Sequence, residues 1–309
     1  MTRGRGGMAA GLFFIALMAA WWWGPPRDRS GPLEQTVAVG ATVRLFALGD
    51  AGTGEQDQLA VAAAMEARCQ QTDVTGLLLL GDNIYPDGVD SVDDPQWVDK
   101  VERPYGSPCL ARLPIYAVLG NHDRRGDANA QIRYGLSHPR WVMPARFYAV
   151  NFGSVLQVVA LDSEFFDVCG LPSVCVFDFL RAMLRAASGT RWRLVMAHRP
   201  VTSATTRTGD YLTNVLGAIM RPTVCAGADL YLSGHDHHLE HRQLPGCRTE
   251  FVVAGGGGGH VYPVHPDQPE TRYVASAHGF TELVFDATHA SLTFWSAAGT
   301  RLYGYTLPP

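Results

Sequence analysis

The stretch Leu77–Tyr85 reads LLLLGDNIY, in which four leucines run into Gly-Asp-Asn and then reach a tyrosine. A continuously apolar run of this kind is typical of a strand in a sheet that is covered on both faces. A single aspartate after such a strand is usually a turn residue or a helix cap. What surrounds this stretch decides whether Asp82 and Tyr85 belong to a turn or to a site.

Strand and helix patterns alternate on both sides of this stretch. Apolar runs predict strands at Val43–Leu48, Gly76–Leu80, Ile115–Leu119, Val155–Leu161, Arg193–Ala197 and Leu230–Leu232. Helical patterns occur at Gln56–Cys69, Val176–Ala187 and Tyr211–Met220. This alternation indicates an α/β core. The segments FTELVFD, ASLTFWS and RLYGYTL near the end alternate apolar and polar residues, which predicts antiparallel strands in a second, mixed sheet packed on the first.

Size and charge set the broad class of protein. With 309 residues, 47% of them hydrophobic, the chain can bury one large core, and a single domain of about 270 residues is expected. The 25 basic and 29 acidic residues give a net charge of −4, and no five like charges stand in a row. We therefore expect no nucleic-acid partner. We also expect a monomer.

Residues 1–23 have the layout of an export segment. Arg3 and Arg5 precede the uncharged stretch Met8–Trp23, and Gly-Pro-Pro and a charged Arg-Asp-Arg follow it. This stretch is shorter than the roughly 20 residues that span a membrane, which is compatible with a cleaved signal peptide. Its three consecutive tryptophans suit a membrane interface and no strict Ala-x-Ala site follows, so an uncleaved anchor remains an alternative, and a buried helix is a third.

For the first two alternatives the remainder of the chain is exported, whether periplasmic, secreted or anchored facing outside. Residues 24–41, rich in glycine, proline and charge, are predicted to be a linker, and residues 42–309 to be the folded domain. Contact with a membrane is expected only through the N-terminal segment.

Six cysteines lie beyond the export segment, and none has the CxxC spacing of a thiolate zinc site. An even number in an exported chain favours disulfides over free thiols. Cys169 and Cys175 flank the turn-forming stretch Gly-Leu-Pro-Ser-Val and are the best local pair.

Five apolar strands run directly into residues that can bind a metal. Asp50 follows RLFALG, Asp82 follows GLLLLG, Asn121 and His122 follow IYAVLG, His198 follows RLVMA, and His235 and His237 follow LYLSG. Sites in α/β sheets form beyond the carboxyl ends of strands, so these side chains should converge in one crevice. Carboxylate, amide and imidazole groups suit Mn, Fe or Zn. The six donors other than His122 suffice for two ions if a carboxylate bridges them.

The order GD, GDNxxY, GNHD, AH and GHDH resembles the metallophosphoesterases, and specifically the small tartrate-resistant purple acid phosphatases. The similarity runs from about Arg44 to Pro309 and includes GNHDRRGDANAQIRYGLSHPRWVMPARFY and the ending GTRLYGYTLPP. It implies a calcineurin-like metallophosphoesterase fold, a four-layer αββα sandwich with two mixed β-sheets. It also implies an exported acid phosphatase that hydrolyses phosphate monoesters of small substrates by metal-hydroxide attack.

Carried over position by position, the resemblance implies two metal sites with Asp82 as the bridge. The first would use Asp50, Asp82, Tyr85 and His237, and the second Asp82, Asn121, His198 and His235. His122 matches the histidine that faces the leaving group, and the neighbouring Asp123 is expected to orient it.

The resemblance departs from the wider superfamily at the first motif. Most metallophosphoesterases have GD-x-H there, and this chain has Gly52 in place of the histidine. Tyr85 would supply the missing ligand as a phenolate, which favours a trivalent ion. The expected cofactors are therefore Fe(III) and a divalent Fe, Zn or Mn.

Substrate contacts are expected from Asn121, Arg199 and Arg207. Arg199 and Arg207 stand where the mammalian-type pattern has tyrosine and histidine. Arginine binds phosphate through paired hydrogen bonds and does not titrate, so pH dependence and substrate preference are not carried over. Two alternatives stay open: a diesterase or nucleotide hydrolase with Zn or Mn, and a non-catalytic surface protein that binds phosphate.

Overall fold

The computed structural model describes residues 32–38, 41–164, 174–186, 189–205, 211–268 and 270–308. The described strands are β1 (Leu33–Gln35), β2 (Val43–Leu48), β3 (Gly76–Leu80), β4 (Ile115–Val118), β5 (Trp141–Val142), β6 (Phe147–Phe152), β7 (Leu156–Leu161), β8 (Trp192–Ala197), β9 (Leu230–Ser233), β10 (Leu239–Gln243), β11 (Glu250–Ala254), β12 (Thr271–Ala275), β13 (Gly279–Phe285), β14 (Ala290–Ser296) and β15 (Arg301–Leu307).

The described helices are α1 (Gln56–Cys69), α2 (Ala128–Tyr134), α3 (Val174–Ala186) and α4 (Tyr211–Gly227). Two short helical turns, Val98–Glu102 and Leu110–Arg112, lie between β3 and β4. Helix α2 begins after Asp127, whose carboxylate accepts hydrogen bonds from the amides of Asn129 and Ala130 at 2.9 and 3.3 Å. This is the usual way to satisfy amides at a helix N-terminus.

The strands form two mixed sheets. The seven-stranded sheet has the order β15-β14-β13-β2-β3-β4-β5, in which β2 to β5 pair in parallel and β13 to β15 are antiparallel. The eight-stranded sheet has the order β1-β6-β7-β8-β9-β11-β10-β12, with β7, β8, β9 and β11 parallel. The carboxyl ends of β2, β3 and β4, and those of β8 and β9, carry the predicted site residues.

The side chains of β7 show why the sheets are covered on both faces. Val158 and Ala160 belong to the core that includes residues of both sheets, whereas Val159 and Leu161 belong to the core with α3 and α4. Successive residues of a strand point to opposite faces, so one strand serves two cores. Helix α1 packs against β13 and β14 of the other sheet. The predicted four-layer αββα sandwich is confirmed.

The structure extends the fold beyond the predicted boundary at residue 42. Leu33–Gln35 pairs in parallel with β6, with Leu33 opposite Val150, so part of the predicted linker 24–41 belongs to a sheet. The sequence gives little sign of this, because a three-residue edge strand is held by main-chain hydrogen bonds rather than by a buried apolar run. Residues 1–31 lie outside the described residues.

Two disulfides are described, Cys69–Cys109 and Cys225–Cys247. They confirm the expectation of disulfides. The predicted local pair Cys169–Cys175 stays a prediction, because Cys169 lies outside the described residues. The run of five glycines Gly255–Gly259 is buried, and the amides of Gly257 and Gly259 donate to the carbonyls of Gly49 and Asp50. Within the described ranges, no helix combines the length and apolar character needed to cross a membrane.

Candidate metal centre

Three of the residues that follow strands adopt an unusual backbone conformation. Asp50, Asp82 and His235 have φ angles of 58°, 51° and 69°, in the left-handed region that residues with a Cβ atom rarely occupy. Such strain costs free energy and is found mostly at functional sites. Here the chain turns sharply after β2, β3 and β9, and the three side chains meet beyond the strand ends.

Two glycines at the strand ends, which precede Asn121 and His235, provide space for the carboxylates. A Cβ atom at Gly120 would lie 2.2 Å from Asp82 Oδ1, and one at Gly234 would lie 2.6 Å from Asp50 Oδ2. Neither distance is tolerable for a real Cβ atom. Glycine at these positions therefore allows the neighbouring strand ends to come close to the two carboxylates.

The first group of converging atoms surrounds the hydroxyl of Tyr85. Tyr85 Oη lies 3.2 Å from Asp50 Oδ1, 3.0 Å from Asp82 Oδ2 and 3.1 Å from His237 Nε2. His237 Nε2 is in turn 3.3 Å from Asp50 Oδ1. Four donor atoms from three separate loops thus meet at one point.

The second group surrounds the imidazole of His198. His198 Nε2 lies 3.2 Å from Asn121 Oδ1, 3.2 Å from His235 Nδ1 and 3.5 Å from Asp82 Oδ2. Asp82 Oδ2 therefore borders both groups of atoms. All seven side chains expected as ligands lie close together, in two groups that share Asp82 Oδ2.

Hydrogen bonds on the far side of four ligand candidates fix their orientation. The amide of His235 donates to Asp50 Oδ2 at 2.7 Å, and the amide of His122 donates to Asp82 Oδ1 at 2.8 Å. Each carboxylate therefore keeps its other oxygen toward the site. His198 Nδ1 lies 2.9 Å from the Leu80 carbonyl and His237 Nδ1 lies 2.8 Å from the His260 carbonyl, which leaves each Nε2 facing the site.

The negative charges of Asp50 and Asp82 make the site favourable for cations. Burial alone would lower the pKa of His198, but the charges of Asp82 and Asp50 outweigh it and raise that pKa above its usual value. Burial, together with Asp50 and Asp82, raises the pKa of Tyr85 well above its usual value. The carboxylates thus attract protons that a metal ion would replace.

The donor set itself fits metal ions. Facing atoms of Asp50, Asp82 and His198 lie within 4.8 Å of one another, and all three residues are buried. Oxygen and nitrogen donors in this mixture match Fe, Zn or Mn.

His122 lies at the mouth of the site. Its side chain is 25% exposed, and Nε2 is 4.0 Å from Asp82 Oδ2. Nδ1 lies 2.5 Å from the carbonyl of Pro86, and the ring contacts that of Tyr85 with centroids 4.6 Å apart. Nε2 is thus turned toward the site and Nδ1 away from it.

The contacts of Asp123 correct the prediction that this residue orients His122. Asp123 is fully buried, and its Oδ2 accepts from the amides of Asn83 and Gly120 at 3.1 and 2.8 Å. Its Oδ1 accepts from the Ile84 amide and from Gln131. The carboxylate ties the loop after β3 to the loop after β4, and the Pro86 carbonyl orients His122 instead.

Arg199 is buried rather than presented to solvent. Its Nη2 donates to Glu164 Oε2 at 3.1 Å, and its Nη1 lies 3.1 Å from Thr213 Oγ1 and 3.2 Å from His235 Nε2. The guanidinium is thus engaged with a carboxylate and with one ligand candidate. Arg207 lies outside the described residues. Asn121 is half-buried beside His198.

One aromatic contact of the site has no counterpart in the sequence prediction. The ring of Tyr262 stacks on His237 with centroids 4.4 Å apart and an angle of 8° between the planes. The Tyr262 amide also donates to the His237 carbonyl at 2.8 Å. No motif marks Tyr262, although its place three residues after the glycine run is a usable sign, because that run packs on Asp50 and His237.

Comparison with known proteins gives consistent results. Residues 43–239 match the family model described as calcineurin-like phosphoesterase. Purple acid phosphatase 3 of Arabidopsis thaliana is 30% identical over 298 residues, which cover 88% of this chain and 79% of the relative. Tartrate-resistant acid phosphatase type 5 of Rattus norvegicus is 27% identical, covering 89% and 93% of the two chains.

A solved structure has the same fold at lower identity. GAP50, described as the anchor in the inner membrane complex of Plasmodium, has a TM-score of 0.73 and 22% identity, covering 86% of this chain and 88% of that chain. At that identity the likeness concerns the fold alone.

Proposed function

The chain belongs to the calcineurin-like phosphoesterase family, and on that basis we propose that it is an exported acid phosphatase that hydrolyses phosphate monoesters at a dinuclear metal site. The observation that carries the proposal is the position of Asp82. Its Oδ2 lies 3.0 Å from Tyr85 Oη in one group of donors and 3.5 Å from His198 Nε2 in the other. A carboxylate oxygen between two donor sets is suited to bridge two ions.

The two donor sets differ in charge, which supports different metals. The first set would hold Fe(III) with Asp50, Asp82, Tyr85 and His237, because two carboxylates and a phenolate supply three negative charges. The second would hold divalent Fe, Zn or Mn with Asn121, His198 and His235 beside the shared Asp82. When bound, two ions act as Lewis acids on the phosphate and lower the pKa of bound water toward about 7.

His122 is suited to handle the proton of the leaving group. With Nδ1 directed at the Pro86 carbonyl, a protonated His122 points its Nε2–H toward the site. It can then donate that proton to the departing alkoxide oxygen as the ester bond breaks. Its partial exposure allows the ring to regain a proton from solvent.

Substrate orientation is assigned to Asn121, with Arg199 acting mainly through its contact with His235. Because Glu164 and Thr213 engage the Arg199 guanidinium, this side chain supports the second donor set more directly than it binds phosphate. Arg207 remains a predicted phosphate contact.

Export is supported by the disulfides Cys69–Cys109 and Cys225–Cys247, since such bonds persist in oxidising compartments. We assign residues 1–23 to a signal peptide or anchor and the remaining folded part to the catalytic domain, acting as a monomer on small phosphorylated substrates.

Metal analysis, a visible spectrum and hydrolysis of an aryl phosphate against a bis-aryl phosphate test the proposal together. We expect iron, an absorption band from a phenolate-iron contact, and faster hydrolysis of the monoester. A colourless, iron-free and fully active enzyme would refute the Fe(III) assignment, and preference for the diester would refute the substrate class. A protein that holds metals but turns over neither ester would instead be a phosphate-binding protein.

A further inference from the structure

Lys100 is the single lysine of the chain, and the other 24 of its 25 basic residues are arginines. It lies in the half-buried helical turn Val98–Glu102, between the strands that precede Asp82 and Asn121. No motif of the sequence singles it out.

The ammonium group of Lys100 is placed on the loop that carries Tyr85. Nζ donates to the main-chain carbonyl of Tyr85 and, at 2.6 Å, to Gln96 Oε1. Gln96 Nε2 donates in turn to the carbonyl of Gly88 at 2.9 Å. Two carbonyls of the segment Tyr85–Gly88 are therefore held by Lys100 and Gln96.

The contact with Tyr85 matters because of the residue that follows. Proline has no amide hydrogen, so the peptide between Tyr85 and Pro86 has a carbonyl as its one hydrogen-bonding group. Lys100 holds that carbonyl. On one side of this peptide lies the phenol of Tyr85, within 3.2 Å of Asp50, Asp82 and His237, and on the other lies the Pro86 carbonyl, which contacts His122.

The same turn is also connected to the loop after β2. The carbonyl of Lys100 accepts from Gln58 Nε2 at 2.8 Å, and Gln58 Oε1 accepts from the amide of Gly54 at 2.7 Å. Lys100 thus belongs to a chain of contacts between the loop that carries Asp50 and the loop that carries Tyr85.

A lysine suits this task better than an arginine. Its ammonium is a compact charge with rotatable donors on a flexible stem, whereas the guanidinium is a wide planar fork shaped for carboxylates and phosphates. Here the acceptors are one carbonyl and one amide oxygen in different directions.

We propose that Lys100 is a positioning residue that fixes the Tyr85–Pro86 peptide, and through it both the phenol of Tyr85 and the ring of His122. This inference rests on the proposed function, because it assigns Lys100 to the first donor set and to the proton donor. It predicts that one side chain outside the site controls metal retention and leaving-group protonation together.

The test compares Lys100→Met and Lys100→Gln with Lys100→Arg, using Arg221→Met, an exposed cation on α4, as the control. Four quantities are measured on the full chain as isolated: iron retained during dialysis against a chelator, the visible absorption maximum, and kcat and KM for aryl and alkyl phosphates. For Met and Gln we expect faster loss of iron, a shifted maximum and a fall in kcat of about tenfold to a hundredfold with little change in KM.

The fall in kcat should be larger for the alkyl phosphate, whose leaving group needs the proton more. Lys100→Arg should recover part of each quantity, and Arg221→Met should match the wild type. Wild-type iron retention and absorption maximum in a folded Met or Gln variant would overturn the inference, even if kcat fell. Absence of iron and of the band from the wild type itself would refute the proposed function instead.

Discussion

The carbonyl oxygen of Gly52 accepts a hydrogen bond from the amide of Tyr85 at 2.8 Å. A Cβ atom at position 52 would lie 2.0 Å from the carbonyl oxygen of Asn83. Position 52 therefore cannot carry the histidine of the GD-x-H pattern while the loop after β3 lies where it does. The absence of a histidine at position 52 and the place of Tyr85 in the site therefore depend on the same packing contact.

Gly52→Ala should displace the loop formed by residues 82–85, because even a methyl group overlaps the Asn83 carbonyl. We expect a drop in activity of about a hundredfold or more, since small displacements of reacting groups are costly. Iron content should fall as well. Activity assays and metal analysis check this, with Gly189→Ala as the control, because nothing lies within 4 Å of a Cβ atom there. Wild-type behaviour of both variants would contradict the packing argument.

Tyr85→Phe should remove the visible absorption band while the protein stays folded. The pKa of Tyr85 is raised by burial and by the adjacent carboxylates, so the phenol is expected to ionise only as a metal ion binds. The substitution should therefore also reduce the protons released during iron binding. Spectroscopy and a pH-stat titration measure these effects, and Tyr262→Phe, which keeps its ring on His237, should retain the band. A band that persists in Tyr85→Phe would remove Tyr85 from the ligand set.

His122→Ala should slow the hydrolysis of alkyl phosphates by about a hundredfold to ten-thousandfold, the usual contribution of a positioned proton donor. Nitrophenyl phosphate should be affected much less, because nitrophenolate leaves without a proton. The ratio of kcat values for the two substrates is the measurement. His289→Ala, which removes a side chain that is 74% exposed, provides the comparison. Equal losses on both substrates would argue against proton donation.

Glu282 should matter for stability in acid. Burial opposes its ionisation, but hydrogen bonds from Arg68, Arg44 and Trp295 outweigh burial and lower its pKa. Arg68 Nε and Trp295 Nε1 lie 3.0 and 2.8 Å from Oε2. A pKa that is lower in the folded than in the unfolded protein stabilises the fold at pH values above the unfolded pKa of about 4.3. This stabilisation is lost as the pH falls through the lower pKa of the folded protein.

Glu282→Gln should therefore lower the free energy of unfolding by about 2 kcal/mol at pH 7, with a smaller difference near pH 3. Denaturant unfolding at both pH values gives the two differences. Asp178→Asn, in an exposed pair with Arg181, should change stability little at either pH. A Glu282→Gln difference that grows in acid would have the wrong sign for this mechanism.

The sequence predicts the strand ends well because the signals there are local. The bounds of β2, β3 and α1 agree with the predictions, and each rests on a continuous run of residues. The orientation of the side chains within the site does not follow from such local signals. The hydrogen bonds that orient the carboxylates come from residues far away in the sequence. The amide that holds Asp50 belongs to His235, 185 positions away.

Asp123 shows most clearly which contacts the sequence does not predict. Its place beside His122 in the sequence suggested contact with the imidazole, yet adjacent residues often point apart. Only the folded positions of its four donors show that they converge on its carboxylate: Asn83, Ile84, Gly120 and Gln131. In the same way, β1 is a short edge strand whose pairing depends on β6, more than a hundred residues further along the chain.

The disulfide Cys69–Cys109 closes a ring of chain that spans 40 positions and contains Asp82, Tyr85 and Lys100. The exposed stretch that includes Asp87, Asp90 and Asp93 lies inside this ring. A protease that cut there would open the ring without releasing a fragment. The ligand-bearing strand and its supporting turn would remain covalently tied, so a nicked enzyme should still hold its metals.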